Sequence, residues 1–283
     1  MSYSLVDELK KAHPVSQLCE VLDVQKSSYY YWQGGHRQPT AQRLRLQVHA
    51  RAVHMETHQT YGSRRMSAAL KAQGLAVGRH RARSLMREAG LVAIRPKKRH
   101  SYPAGEVSRV AANHLDRQFE ASQPNQKWVG DITYLWTSVG WVYLAVVLDL
   151  FSRKVVGWAM SAQMNTALVE TALHMALQTR QPDASLLHHS DQGSQYTSAA
   201  YQNRLAGTDI QLSMSRVGNC YDNAVAESFF GTLKAECVTS QFVTHALART
   251  TIFEYIEVWY NRQRLHSTLG YLSPVDFEQQ HGH

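Results

Sequence analysis

The 283 residues are 44% hydrophobic, enough for one large domain or two smaller ones, and no run of 18 apolar residues predicts a membrane span. Three scattered cysteines (Cys19, Cys220, Cys237) with no CxxC pair, and an amino terminus without an apolar signal core, argue against a secreted disulfide scaffold and predict a reducing, cytoplasmic setting. The net charge of +8 is uneven: residues 1–120 carry 20 Lys and Arg against 9 Asp and Glu, and residues 121–283 carry 10 against 13, which predicts a polyanion partner for the front half. The basic residues do not line one long amphipathic helix, so a membrane surface is the weaker reading of that charge.

Apolar residues at Val15, Leu18, Val21 and Leu22, a break at Asp23 and a new segment from Lys26 predict a partial helix-turn-helix within residues 1–36. Its second helix would present Gln25, Lys26, Ser27 and Ser28 near its start. Residues 40–100 predict a basic helical DNA-binding domain. A helix over Arg43–His54 is followed by TYGSRRMSAALKAQG, with Ser63 as N-cap, Arg64 and Arg65 in its first turn and Gly74 as the stop. A third helix sets Arg79, Arg81, Arg83 and Arg87 beside Leu85 and Met86, so that one face packs and the other meets DNA or solvent. Lys97, Lys98 and Arg99 continue the charge, and residues 101–124, with Pro103, Gly105 and Pro124, read as a linker.

From Asn125 the texture changes to strands. WVGDITYLWT and GWVYLAVVLDLFSRKVVGWAM predict three, the last two around a turn at Asp149 to Lys154. Val142 to Leu148 is apolar on both faces, as a strand covered on both sides would be. A helix over Asn165–Thr179, a strand near Leu186–His189, a helix over Ser198–Leu205, a strand at IQLSMS and a helix from Asn223 complete a mixed α/β domain over 125–240. Residues 241–283 form a helical extension, in which Arg262, Arg264 and His266 either meet phosphate or support packing.

Three carboxylates in this domain could act together: Asp131 in the first strand, Asp191 after the fourth and Glu227 on the last helix. Fifty-nine residues separate the first two and 35 the last two. On the last helix Ala226, Phe229, Phe230 and Leu233 form an apolar stripe beside a polar line of Asn223, Glu227, Gly231 and Lys234. Gly231 costs about 1 kcal/mol of helix stability, which predicts a close backbone approach or a helix contact there. Gathered carboxylates repel unless cations lie between them, and hard divalent ions such as Mg²⁺ or Mn²⁺ remove that repulsion and support displacement at phosphorus. Taken singly, each acid also suits a turn, a cap or a surface ion pair.

Asp131 in GDITYL, Asp191 in HSDQGSQY and Glu227 in NAVAESFFGTLKAE resemble the DDE triad of the retroviral-integrase superfamily. Together with HQTYGSRRM, LDLFSRKVVGW and YNRQRLHSTLGYLSP, they are similar to the orfB-type transposases of the IS-three insertion-sequence family, over about Val15 to Phe277. The resemblance implies an RNase H-like integrase catalytic core with Asp131, Asp191 and Glu227 as ligands of two Mg²⁺ or Mn²⁺ ions, Asp131 touching both. It implies DNA contact by Lys234, and loop shaping and DNA proximity for Gln192, Gly193, Ser194, Tyr196 and Asn223. Asp149 and Asp222 are rival acids read as structural.

The resemblance further implies cleavage and strand transfer at insertion-sequence ends, with terminal repeats and target DNA as partners, a homo-oligomer on DNA and an upstream orfA-type product. A DNA-binding regulator without catalysis and a plain RNase H-like nuclease are the competing readings. His54 and His58 have histidine spacing but no CxxC follows, so no zinc site is expected. His188 and His189 alternate across their strand, so at most one would face the acids.

Overall fold

A computed structural model describes residues 2–34, 40–94, 110–182, 186–206, 208–216, 220–238 and 240–282. The chain divides into two compact units at 50/51, inside a helix.

In the first unit α1 (Ser2–Leu9), α2 (Val15–Val21) and α3 (Lys26–Gly34) surround a core of Val6, Leu18, Cys19 and Tyr29. Asp23 takes a left-handed φ of 51° and turns α2 into α3, the predicted helix-turn-helix. Lys26 and Ser27 are exposed at the start of α3. The unpredicted element is α1. It buries only Val6 of its apolar residues, too little to leave a period in the sequence. The fourth helix, α4 (Ala41–Glu56), crosses the unit boundary.

In the second unit α5 (Ser63–Ala72) and α6 (Arg79–Glu88) form a helix pair, burying Met66 and Leu70 against Ala82, Leu85 and Met86. The N-caps are Gly62 and Gly78, one residue ahead of the Ser63 expected. Gly74 and Gly90 follow the two helices at φ 78° and 68°, conformations that only glycine adopts without strain.

The sheet consists of β1 (Lys127–Thr137), β2 (Gly140–Asp149), β3 (Val155–Ser161), β4 (Leu186–Ser190) and β5 (Ile210–Met214), in the order β3-β2-β1-β4-β5. The first three strands are antiparallel; β4 and β5 run parallel to β1. Helix α7 (Thr166–Arg180), capped by the Asn165 side chain, crosses from β3 to β4 and packs Leu168, Val169, Ala172, Leu173 and Ala176 on the sheet. It lies so close that a Cβ on Gly157 would stand 2.1 Å from the Ala172 carbonyl oxygen. Helix α8 (Ala199–Leu205) links β4 to β5. A 3-10 turn (Cys220–Asn223) then leads into α9 (Ala224–Glu236), and α10 (His245–Phe253) runs on into a π-helical segment, Glu254–Tyr260, ahead of α11 (Pro274–His281).

Two contacts go beyond the expected layout. Residues 110–116, in the stretch read as a linker, lie along the outer strand. Ala112 O accepts from Met214 N, and the amides of His114 and Leu115 donate to Ser213 Oγ at 2.9 and 3.1 Å. Covering β5 in this way blunts an open sheet edge. The α5–α6 pair is also joined to the C-terminal segment: Leu265 N donates to Tyr61 Oη at 2.9 Å, and the His58 and Trp259 rings meet at 5.2 Å. Among the described residues no helix is long and apolar enough to cross a membrane.

Candidate active site

The strand order decides which acids meet. β1 is the middle strand, and β4 pairs parallel beside it. Asp131 on β1 and Asp191, one residue past β4, therefore arrive on neighbouring strands. Ile132 N donates to Asp131 Oδ1 at 2.7 Å, and Gly193 N donates to Asp191 Oδ1 at 2.9 Å, so each carboxylate is steadied by local backbone. Burial pushes Asp131 well above the usual carboxylate range, the charges of Asp191 and Glu227 push the same way, and the Ile132 amide and Lys234 pull back. Asp191 is also raised by burial, against the Gly193 amide. No salt bridge reaches either aspartate among the described residues.

The third acid comes from α9, whose predicted stripe of Ala226, Phe229, Phe230 and Leu233 is buried. Glu227, in its first turn, is exposed, and partial desolvation of its carboxyl raises it. Asn223 sits at the helix entry, with Nδ2 3.5 Å from Gly130 O, beside Asp131, and with Oδ1 buried and without a partner among the described residues. Near the other end Lys234 places Nζ 4.8 Å from the centroid of Tyr134, on β1. Asp131 and Asp191 are close acids, and Glu227 is near enough for its charge to act on Asp131. No three His, Cys, Asp or Glu side chains among the described residues close around a single point.

The neighbouring motif residues have definite tasks. Gln192 Nε2 donates to Ser215 O at 2.7 Å, tying the loop after β4 to the end of β5. A Cβ on Gly193 would lie 2.9 Å from Asp191 Oδ1, so the glycine leaves space for the carboxylate. Ser194 is exposed in the same loop. Tyr196 is buried edge-on to Tyr201, and its hydroxyl is pushed well above the usual phenol value by burial, then Tyr201, Asp131 and Asp191. Gly231 departs from expectation: a Cβ there would meet nothing within 4 Å, so no backbone or helix crowds it, and space lies open one turn beyond Glu227.

The histidines beside the motif do not join the acids. His188 Nε2 lies 2.8 Å from Tyr201 Oη and His189 Nδ1 lies 2.8 Å from Ser213 Oγ. Burial lowers both to about 4, with the charge of His189 adding to the effect on His188. Asp149 is a turn anchor, as expected: it accepts from Asn125 N and Phe151 N at 2.7 and 2.8 Å. Its cation is Arg180, at 3.5 Å. Asp222 is a clamp, held by Arg216 at 3.1 Å and Arg117 at 2.9 Å and depressed to about 2 by these bonds despite its burial.

The basic residues separate into two groups. Arg64, Arg79, Arg81, Arg83 and Arg87 are exposed. Arg65 is half-buried, 5.7 Å from the Tyr61 ring and 3.9 Å from Glu236, and belongs to a packed network. In that network Arg264 makes two 2.8 Å bonds to Glu236, the last residue of α9. Of the two readings for Arg264 and His266, the structure supports packing: both are buried, and His266 is lowered to about 2 by burial, then by Arg264, Arg65 and Arg153. Arg262 is exposed and donates to Glu257 O. Lys97, Lys98 and Arg99 lie outside the described residues. Gly130 and the Glu236–Arg264 pair escaped the sequence reading. A Cβ on Gly130 would stand 3.0 Å from His188 Cε1, a cross-strand constraint with no local signature.

Three antiparallel strands, two parallel strands added beside the first and helices packed on the sheet are the architecture of the integrase-core class of polynucleotidyl transferases. The integrase core domain family matches residues 121–220, a second integrase core domain family matches 208–274, and an HTH-like domain family matches 41–99. Transposase InsF for insertion sequence IS3A of Escherichia coli (strain K12) is 42% identical over 284 residues, covering 98% of both chains. An insertion element IS600 31 kDa protein of Shigella sonnei, uncharacterized, is 40% identical, covering 93% of this chain and 98% of its own. A chain of the simian T-cell lymphotropic virus intasome, in complex with a PP2A regulatory subunit, has 17% identity and a TM-score of 0.47 over 81% of this chain and 73% of its own, too distant a likeness to carry argument. The chain belongs to the IS3-family insertion-sequence transposases. It is a DNA transposase.

Proposed function

We propose that Asp131, Asp191 and Glu227 hold two divalent ions, Mg²⁺ or Mn²⁺, and that the transposase uses them to cut the phosphodiester at an insertion-sequence end and join the freed strand to target DNA. The observation that carries this reading is the Asp131–Asp191 pair, half-buried at adjacent strands, with both carboxyls raised and no salt bridge to either among the described residues. Such a pair fits hard cations with oxygen ligands. Glu227, exposed in the first turn of α9, suits a ligand that completes the site when substrate arrives. Bound there, the ions would promote deprotonation of the attacking oxygen and offset charge on the leaving oxygen.

The chain's own residues set the geometry. The amides of Ile132 and Gly193 orient the two aspartates, and Asn223 fixes the entry of α9 against β1. Gln192, Gly193, Ser194 and Tyr196 shape the loop that faces the nucleic acid. Lys234, near Asp131 and over Tyr134, attracts a DNA phosphate toward the acids. Arg64, Arg79, Arg81, Arg83 and Arg87 supply phosphate contacts on the helix pair, and Lys97, Lys98 and Arg99 extend that charge. In the first step water attacks phosphorus and the 3′ oxygen leaves as a hydroxyl. In the second that hydroxyl attacks a target phosphodiester and displaces its 3′ oxygen. Neither step needs a covalent protein intermediate. Homo-oligomerisation on paired ends and an upstream orfA-type product complete the working assembly.

The test is cleavage and joining of end-containing DNA in Mg²⁺ or Mn²⁺ by the wild type, Asp131→Asn, Asp191→Asn and Glu227→Gln. Loss of both steps in each variant supports the assignment. Undiminished cleavage by Asp191→Asn overturns it, and DNA binding without cleavage by the wild type leaves the binding-only reading.

A further inference from the structure

Away from the acids, Arg64, Ser67, Ala68 and Lys71 of α5, Arg79 of α6 and Gly270 with Tyr271 line a cavity of about 490 Å³. The α5 residues are spaced i, i+3, i+4 and i+7, so they share one helix face, with small side chains between two cations. Arg79 is the first residue of α6, whose N-cap is Gly78, so the backbone N–H groups of that end have no side-chain acceptor there. None of the three cations makes an ion pair or hydrogen bond among the described residues. The adjacent Arg65 turns the other way and is paired with Glu236. The far wall is the tight loop after Leu269, where Gly270 and Tyr271 take φ 63° and 66°, pinned by Tyr271 N donating to His266 O at 2.8 Å. A left-handed tyrosine is uncommon and costs energy, which makes its presentation to the cavity a feature of the loop.

Three unneutralised cations around a concave space, with a helix amino end at its rim, are suited to anionic oxygens. We infer that this cavity is a docking site for the phosphodiester backbone of DNA, shared between the α5–α6 helix pair and the C-terminal loop. Resting on the transposase reading, it adds Lys71, Gly270 and Tyr271 to the DNA-contacting surface and gives the strand two walls, one from the helix pair and one from the loop joined to the catalytic core. Ser67 and Ala68 let the backbone approach α5 closely, and Tyr271 presents a ring and a hydroxyl to it.

The experiment measures binding of the full-length chain to end-containing duplex without divalent metal, across a range of monovalent salt. Each phosphate neutralised contributes about −0.9 to the log–log slope. Lys71→Ala, on an exposed helical position, is expected to make the slope shallower by about 0.9, and Arg64→Ala/Lys71→Ala/Arg79→Ala by about three times that amount. Lys71→Arg is expected to restore the wild-type slope. Wild-type slopes for both alanine variants, each with an unchanged melting transition, overturn the inference. Should the triple variant not fold, Lys71→Ala against Lys71→Arg decides alone. A thermal shift by inorganic pyrophosphate that Lys71→Ala abolishes, with an unchanged DNA slope, assigns the cavity to free anions and equally overturns it. Without metal no strand is cut, so this result is independent of whether Asp131, Asp191 and Glu227 perform the chemistry.

Discussion

Gly193 and Asp191 are bound to one another in a way that allows no side chain between them: the Gly193 amide donates to Asp191 Oδ1 at 2.9 Å, and a Cβ on Gly193 would stand 2.9 Å from that same oxygen. Gly193→Ala must therefore displace the carboxylate. An error of about 1 Å in a reacting group can cost about 100-fold in rate, and a loss of that order is expected in end cleavage. Far-ultraviolet circular dichroism and melting should stay close to wild type, because Gly193 itself lies outside the buried core. Full activity in Gly193→Ala would mean that Asp191 does not need its observed position.

Glu236 and Arg264 are nearly inaccessible, with side-chain exposures of 7% and 5%. Their two 2.8 Å bonds fix the end of α9, with Tyr255 Oη donating to Glu236 at 3.0 Å. Removing one member of such a pair leaves a buried charge and costs about 3–5 kcal/mol. Arg264→Met is expected to lose that much in urea unfolding. Arg264→Met combined with Glu236→Leu should recover most of it.

Gly231→Ala separates stability from activity. With nothing within 4 Å of the added Cβ, the helix should gain up to about 1 kcal/mol. The same methyl enters the open space beyond Glu227, where DNA must come near the acids, so strand transfer should fall while the melting temperature rises. A variant as active as wild type would show that this face of α9 does not meet substrate.

Much of this architecture is legible from residue patterns. Both-face apolarity marked β2, and the spacing of Ala226, Phe229, Phe230 and Leu233 marked the buried face of α9. The three acids stand out in the sequence because each lies in or beside an element that the pattern marks, and the strand order brings Asp131 and Asp191 to neighbouring strands. What escaped depends on distant partners. Arg117 reaches Asp222 across 105 residues and Asn261 bonds Val155 across 106, and no local pattern encodes either. Arg65 illustrates the limit: in sequence it is one more cation beside Arg64, yet a turn of about 100° per residue sends one toward solvent and the other toward Glu236.

Acid sensitivity follows from three buried histidines. Burial holds His188 and His189 at about 4 and His266 at about 2, below the unfolded value of about 6.5. They are neutral in the fold and protonate on unfolding, so their contribution is complete above about pH 6.5 and is lost progressively as pH falls toward about 4. Near pH 5 unfolding should take up close to three protons through these groups, read as the pH slope of stability. His188→Gln should remove about one. The raised carboxyls of Asp131 and Asp191 act with the opposite sign, so the comparison is with His188→Gln: a slope between pH 6.5 and 5 identical to wild type would contradict the burial of His188.

In the function proposed above, Asp131, Asp191 and Glu227 form one metal site that performs the chemistry. The most direct measurement is Mn²⁺ titration by calorimetry, paired with end cleavage at saturating Mn²⁺, on the wild type and on Asp131→Asn, Asp191→Asn and Glu227→Gln. Expected are binding by the wild type, weakened binding in all three variants, and loss of cleavage that saturating metal does not restore. Wild-type binding and cleavage in any one of the three would contradict it.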